Sequence, residues 1–334
     1  MTTRTLLPPD AIEEAATLLS AGQMVALPTE TVYGLAAHAL DPTAVTRIFE
    51  AKHRPLFDPL IVHLPGLDWL DRLTTSAGDP LVQALVQRFW PGPLTLVLPR
   101  RPIVPDLVTS GLPTVAVRMS AHPVFRAILT RFGGPVAAPS ANRFGRISPT
   151  TAAHVLEELG GRIPLIVDGG PCGLGIESTV VAVDSGSLHL LRAGPIIPDD
   201  LSPFAPLRSP FSSCGPRVAA ENPSSPAAPG QLPSHYAPAT PLHLLDSQSE
   251  ADTFHPSAHA ALLAWCRSTR PSQFEAMEVL TPSNDPREAA VQLFAAMRRL
   301  DSLNLDLIVA EPPPSSGLGL AILDRLRKAA APRN

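Results

Sequence analysis

Two rhythms of apolar residues alternate along the first two hundred positions. "AIEEAATLLSAG", "DPTAVTRIFEAK", "DPLVQALVQRFW" and "HPVFRAILTRFG" repeat their apolar residues with the period of a helix that buries one face. Between them lie short apolar runs, "QMVALP", "PLIVHL", "LTLVLP", "TVAVRM", "PVAAPS", "PLIVDGG", "STVVAVD" and "SLHLLRAG", which read as buried strands. End signals agree. Acids fill the first turn after Pro9-Asp10, and Gly22 closes that helix. Asp41 caps the next one with Pro42 at its first position. Ser148 is expected to cap "SPTTAAHVLEELG", with Gly160 or Gly161 ending it. Several strands adjoin in sequence with no helix between them, so an α/β fold with a mixed, twisted sheet is expected.

The pattern then stops. Prolines recur among Ser, Ala and Gly across residues 201–240, the signature of an extended, semi-rigid linker. After it, "PLHLLD", "AALLAWC", "MEVL" and "LDLIVAE" alternate with "DPREAAVQLFAAMRRLDSL" and "GLGLAILDRLRKAA". Three units follow: an α/β domain over 8–200, the linker over 201–240, and a small Rossmann-like α/β domain over 241–334.

Composition narrows the classes. With 334 residues the chain can build two cores, and its 45% hydrophobic content marks it as globular. No apolar run approaches the ~18 residues of a membrane span, and "MTTRTLLPPD" lacks a secretory pattern. Cys172, Cys214 and Cys266 are odd in number and far apart, which disfavours a disulfide framework or a structural zinc and suits the cytoplasm. A net charge of −4 disfavours binding nucleic acid over a whole surface, but leaves room for a local anion site.

Polar clusters gather where strands end. They are "TETVYGL" with Thr29, Glu30, Thr31 and Tyr33; "KHRPLFDPLIVHL" with Lys52, Arg54, Asp58 and His63; and "PTVAVR" with Thr114 and Arg118. "APSANRFGRIS" adds Ser140, Asn142 and Ser148, "GGPCGLGIEST" adds Ser178, and Arg192 closes the last strand. Cations, hydroxyls and glycine-freed backbone N–H groups at strand ends suit phosphate and carboxylate oxygens. Each element also has a plainer reading. Lys52-x-Arg54 alone reads as a solvated helix end, Thr29 and Thr31 as turn residues, His63 as a packed ring, and "GGPCGLG" as a tight loop. Arg118, on an apolar strand, needs an anionic partner, whether a structural carboxylate or a ligand. Walker A, GxSxG, HExxH and strand-borne GxGxxG motifs are absent.

Taken in order, "PTETVYGL", "KHRPLFDPLIVHL", "PTVAVRM", "PSANRFGRISPT" and "GIESTVV" resemble the YrdC-like family over residues 8–200. "PGQLPSHYAP" and "GLGLAILDRLRKAA" resemble the linker and extra domain of its two-domain members. The resemblance implies L-threonylcarbamoyladenylate synthesis, a nucleotidyl transfer. L-threonine, bicarbonate or CO2, and ATP with Mg2+ give threonylcarbamoyl-AMP and pyrophosphate, and downstream transfer proteins use the product to modify tRNA next to the anticodon. It implies Lys52, Arg54, Ser140 and Asn142 as catalytic residues. Arg54, Asp58, Thr114, Ser140, Ser148, Arg192 and Tyr236 would bind ATP. Thr31, His63, Arg118, Ala138 and Ser178 would surround L-threonine. His235 and Tyr236 would belong to a linker that covers the site, and the metal ligands stay unassigned. Asp58 departs from the Asn that many relatives carry, and a carboxylate there should repel phosphate. An RNA-binding module and a carbamoyl-transfer domain of the hydrogenase-maturation kind stand as alternatives. The charge disfavours the first, and this chain lacks the acylphosphatase-like part and zinc-finger cysteines of the second. Direct tRNA binding is expected to be weak or absent, and no membrane is involved.

Overall fold

The computed structural model describes residues 2–208, 230–256, 259–267 and 269–332. Most of the expected linker and Cys214 lie outside the described residues. The chain opens with β1 (Arg4–Leu6), α1 (Asp10–Ser20), β2 (Val25–Leu27), β3 (Gly34–His38) and α2 (Pro42–Lys52). It continues through β4 (Ile61–His63), α3 (Asp68–Leu73), α4 (Pro80–Phe89), β5 (Leu94–Pro99), α5 (Asp106–Thr109) and β6 (Thr114–Arg118). Next come α6 (Pro123–Phe132), β7 (Val136–Ala137), α7 (Ala152–Leu159), β8 (Leu165–Val167), β9 (Thr179–Asp184) and β10 (Ser187–Arg192). A short α8 (Pro198–Leu201) and β11 (Leu207–Arg208) end this part.

These strands form one sheet in the order β1-β8-β2-β3-β7-β4-β6-β5-β9-β10-β11. Its pairs are mixed as expected: β4 and β6 run parallel, while β2/β3, β5/β6 and β9/β10 are antiparallel. β1 and β3 were not legible as strands, because β1 is three residues of which Arg4 and Thr5 are exposed, and β3 hides inside the polar "TETVYGLAAH". Helices on the two faces bury two apolar clusters, one around Ile48, Leu85 and Leu96, the other around Leu19, Phe125 and Val136.

The second unit comprises β12 (Leu242–Leu244), β13 (Ala260–Ala264), β14 (Ala276–Val279), α9 (Pro286–Asp301), β15 (Leu307–Ala310) and α10 (Gly319–Ala330). Its sheet is fully parallel, in the order β12-β15-β13-β14. The two units share a core: Val32, Ile147, Ile176, Ala193 and Tyr236 pack in one cluster with Leu293, Phe294 and Ile322. Gly175 packs directly against α9. A Cβ on it would sit 2.3 Å from the Ala290 carbonyl oxygen of α9.

Candidate active site

In open α/β sheets the strand ends offer a crevice where connections diverge. Here β4 and β6 run side by side with His63 opposite Arg118, so both side chains arrive together at the carboxyl ends. The loop after β2 folds over them because Thr29 Oγ1 donates to the Val32 carbonyl (2.6 Å) and accepts from the Thr31 and Val32 N–H groups. Thr29 is therefore a turn residue that also lines the cavity. That cavity has an empty volume of about 560 Å³ including its mouth.

One wall contains Thr31, His63, Arg118, Ala138 and Ser178, the whole set carried over for L-threonine. Arg118 is 3% exposed, and its guanidinium is fixed from three sides. Nε donates to the Gly92 carbonyl (3.2 Å), Nη1 to Thr31 Oγ1 (3.0 Å), and Nη2 lies 2.6 Å from Glu30 Oε1. Glu30 also accepts from the Ser120 hydroxyl. Burial works to raise Glu30's pKa, but Arg118 and Ser120 outweigh it and hold the carboxyl at about 2. Burial first, then Arg118, push His63 down to about 3, so it presents a neutral ring. That ring also packs on Phe125, with centroids 4.9 Å apart. Ser178 Oγ is held by Thr95 Oγ1 (2.7 Å) and by Arg192 Nη2 (3.0 Å).

The other wall carries Arg54, Ser140, Glu177, Arg192, Gly230, His235 and Tyr236. The returning chain presses close here. Gly230 has φ +80, and a Cβ on it would stand 2.9 Å from Tyr236 Oη and 3.2 Å from Arg192 Cδ, so only glycine fits. Arg192 Nε donates to the Ser178 carbonyl (3.0 Å), and burial lowers its pKa. His235 donates its backbone N–H to the Lys328 carbonyl (3.2 Å), and Lys328 Nζ donates to the Gly230 carbonyl (2.7 Å). The C-terminal helix thus pins both ends of the segment that carries His235 and Tyr236.

Five expected site residues stand outside the cavity wall. Thr114 is half-buried at the opposite end of β6 from Arg118. Ser148 is not a helix cap: α7 starts at Ala152, where Thr151 accepts from the His154 N–H, and Ser148 Oγ donates to Glu177 Oε1 (2.5 Å). Asn142 donates its side-chain amide to the Arg143 (2.7 Å) and Arg146 (2.9 Å) carbonyls. Lys52 is no solvated helix end. It extends the buried stripe Ala44–Ile48 of α2, is 1% exposed, and donates Nζ to the carbonyls of Ser140 (2.5 Å) and Asn142. Burial lowers its pKa, as does neighbouring Arg54, against the pull of Asp58 and Glu158. Its ammonium therefore ties down the Ser140–Asn142 loop from beneath.

Asp58 lies directly behind Arg54 and is fully buried. Arg54 Nη2 is 2.7 Å from Asp58 Oδ2, while Nε and Nη2 donate to the Asp58 (3.1 Å) and Pro59 (2.9 Å) carbonyls. Burial raises the Asp58 pKa, and Arg54, Lys52 and Arg192 pull it back in that order.

Two acids escaped the sequence reading as site residues, Glu30 and Glu177. Glu30 orients Arg118. Glu177 joins Ser148 to Arg325 of α10, whose Nε is 3.1 Å from Glu177 Oε2 and whose Nη1 donates to the Ala193 carbonyl (2.6 Å). Both sit inside quoted motifs, "PTETVYGL" and "GIESTVV". The signal that could have found them is the number of cations bound for the interior, each needing a carboxylate.

Residues 17–194 match a family model described as telomere recombination, Sua5/YciO/YrdC, which spans half of the chain. The chain belongs to the Sua5/YciO/YrdC family. Residues 205–331 match a second model, described as the C-terminal domain of threonylcarbamoyl-AMP synthase. A threonylcarbamoyl-AMP synthase of Pyrococcus abyssi is 38% identical over 329 residues, 96% of this chain and 94% of that one. The protein of that name from Bacillus subtilis is 38% identical over 333 residues, 96% of this chain and 93% of that one. A structure of P. abyssi Sua5 complexed with L-threonine superposes with a TM-score of 0.87 at 35% identity, covering 99% of this chain and 98% of that one. The Sua5 architecture, a large mixed sheet beside a small parallel one, is thus the architecture of this chain. Among the described residues no helix is long and apolar enough to cross a membrane.

Proposed function

We propose that the protein is an L-threonylcarbamoyladenylate synthase, a cytoplasmic nucleotidyltransferase that converts L-threonine, bicarbonate or CO2, and ATP into threonylcarbamoyl-AMP and pyrophosphate. One observation carries this reading. Arg118, Thr31, His63 and Ser178 share a single cavity with Arg54, Ser140 and Arg192, so a carboxylate subsite and a phosphate subsite lie within reach of one reactant pair. The full-length similarity to proteins named threonylcarbamoyl-AMP synthase, one of them complexed with L-threonine, supports it.

Threonine's carboxylate suits the planar guanidinium of Arg118, already oriented by Glu30, Thr31 and Gly92. Neutral His63 adds no positive charge beside the substrate amine. That amine forms a bond to the carbon of CO2 and releases a proton, giving a carbamate. A carbamate oxygen then bonds to the α-phosphorus as the bond to the bridging oxygen breaks, and pyrophosphate leaves with that electron pair. No protein nucleophile enters. The residues contribute position and charge neutralisation, with Arg54 and Arg192 at the phosphates and Lys52 holding the Ser140–Asn142 loop. Mg2+ would enter as a companion of ATP, since Asp58 and Glu177 are each paired with an arginine. Bound to the nucleotide, it would neutralise phosphate charge.

The segment with His235 and Tyr236 would act as a cover that keeps water from the mixed anhydride. The product would pass to transfer proteins that modify tRNA. Lys52, Arg54, Arg118 and Arg192 are all buried, which suits them to a small anion in the cavity. The test is to supply 13C-bicarbonate, L-threonine and ATP and follow the label by mass spectrometry. The label should appear in a species of the mass of threonylcarbamoyl-AMP. ATP turnover without incorporated label would reject the reading.

A further inference from the structure

Behind Arg54 and outside the cavity lining, one group has no place in the reaction as described. Asp58 is fully buried, and among the described residues none donates a hydrogen bond to either of its carboxylate oxygens. Buried carboxylates ordinarily collect several donors. Among the described residues this one is balanced by charge, from Arg54 at 2.7 Å and from the more distant fields of Lys52 and Arg192. Arg54 and Arg192 are the cations that the reaction offers to the nucleotide. Arg54, the nearest of them, is also folded back on its own loop by the Asp58 and Pro59 carbonyls. An internal anion thus holds the guanidinium that faces the cavity.

We propose that Asp58 is an intramolecular competitor for the phosphate subsite, which vies with phosphate for Arg54 and weakens the grip on pyrophosphate so that product leaves. The proposal rests on the reading that this cavity binds ATP and releases pyrophosphate. Its logic is electrostatic. A fixed negative charge behind the cationic wall lowers the attraction for every incoming anion, most for the one with the highest charge density. Pyrophosphate carries its charge on a smaller frame than ATP does, so it should lose more.

Isothermal titration of the full chain with inorganic pyrophosphate, at fixed ionic strength, tests this with Asp58→Asn. The amide keeps the shape and an acceptor oxygen for Arg54 while removing the charge. Pyrophosphate should bind about fivefold tighter or more, and its product inhibition of turnover should strengthen in parallel. A residue that merely braced Arg54 would show the opposite sign, because a loosened guanidinium binds anions less well. Unchanged or weaker pyrophosphate binding by a folded Asp58→Asn overturns the proposal alone. If Asp58→Asn does not fold, Asp58→Ser is read in the same way. If the wild-type chain binds neither pyrophosphate nor ATP, the reading of the cavity itself fails and this proposal falls with it.

Discussion

Replacing Arg325 with methionine tests whether the second unit is part of the catalytic site or an appendage to it. Arg325 lies on α10, is fully buried, and reaches across to Glu177 and the Ala193 carbonyl, the neighbours of Ser178 and Arg192. Its guanidinium also sits 5.5 Å above the Tyr236 ring. Methionine keeps most of the apolar stem but takes from Glu177 its ion-pair partner among the described residues, leaving the Ser148 hydroxyl and the field of Arg192. Removing one partner of a buried pair costs roughly 3–5 kcal/mol, which already includes most of the penalty for the stranded acceptors. At roughly 2.1 cal/mol/K of unfolding entropy per residue over 334 residues, that is a fall in Tm of about 4–7 °C. Differential scanning calorimetry gives the shift, and steady-state kinetics should show KM rising for both ATP and threonine. Arg299→Met is the control. Its partner Glu278 is on the surface, and such a pair is worth roughly 0–1 kcal/mol. If Arg325→Met melts like the control and keeps wild-type KM values, the coupling between the units is refuted.

Lys52→Met strands the Ser140 and Asn142 carbonyls, so it should lose about 2–5 kcal/mol of stability as well as turnover; an inactive variant with wild-type denaturant unfolding would contradict this account of Lys52. Arg118→Lys keeps the charge but loses the planar fork, and should raise KM for threonine about tenfold while leaving KM for ATP within about twofold; equal effects on both substrates would count against a carboxylate subsite at Arg118. His63 carries a folded pKa of about 3 against an ordinary 6.5, so its neutral form gives full stability above pH 6.5. Below that pH the unfolded chain takes up a proton that the folded chain refuses, and stability falls until about pH 3, by up to about 1.4 kcal/mol per unit. Glu30, held at about 2 against an ordinary 4.5, adds stability above pH 4.5 that is lost as pH falls towards 2. Denaturant unfolding at pH 7.5 and 5.0 should therefore show a smaller acid loss in His63→Gln than in the wild type, and equal losses would contradict the linkage.

Much of the fold was legible because period and caps coincided. Asp41 and Pro42 mark the start of α2 in the chain as they do in the structure, and the N-cap oxygen indeed accepts from the Thr43 N–H at 2.8 Å. The burial of Lys52 was also open to reading. Positions 44, 48 and 52 share a helix face, and the first two are apolar and buried. Charge type concealed what spacing showed. Ser148 misled for a local reason: a serine before a proline resembles a helix start, yet three further residues precede α7 and the hydroxyl finds Glu177 instead. The placement of Glu30 against Arg118 and of Arg325 against Glu177 could not be read from one chain. Each joins elements far apart in sequence, and only folding decides which carboxylate meets which guanidinium. The residues expected around threonine came from the family resemblance, and the fold brings them to one cavity, while Thr114 stands at the start of β6 away from it.

Pyrophosphate release tests the central claim most directly. With ATP and bicarbonate present, release should depend on L-threonine, remain much weaker with L-serine, and collapse in Arg54→Ala. Release that proceeds equally without an amino acid, or survives in Arg54→Ala, would contradict the account.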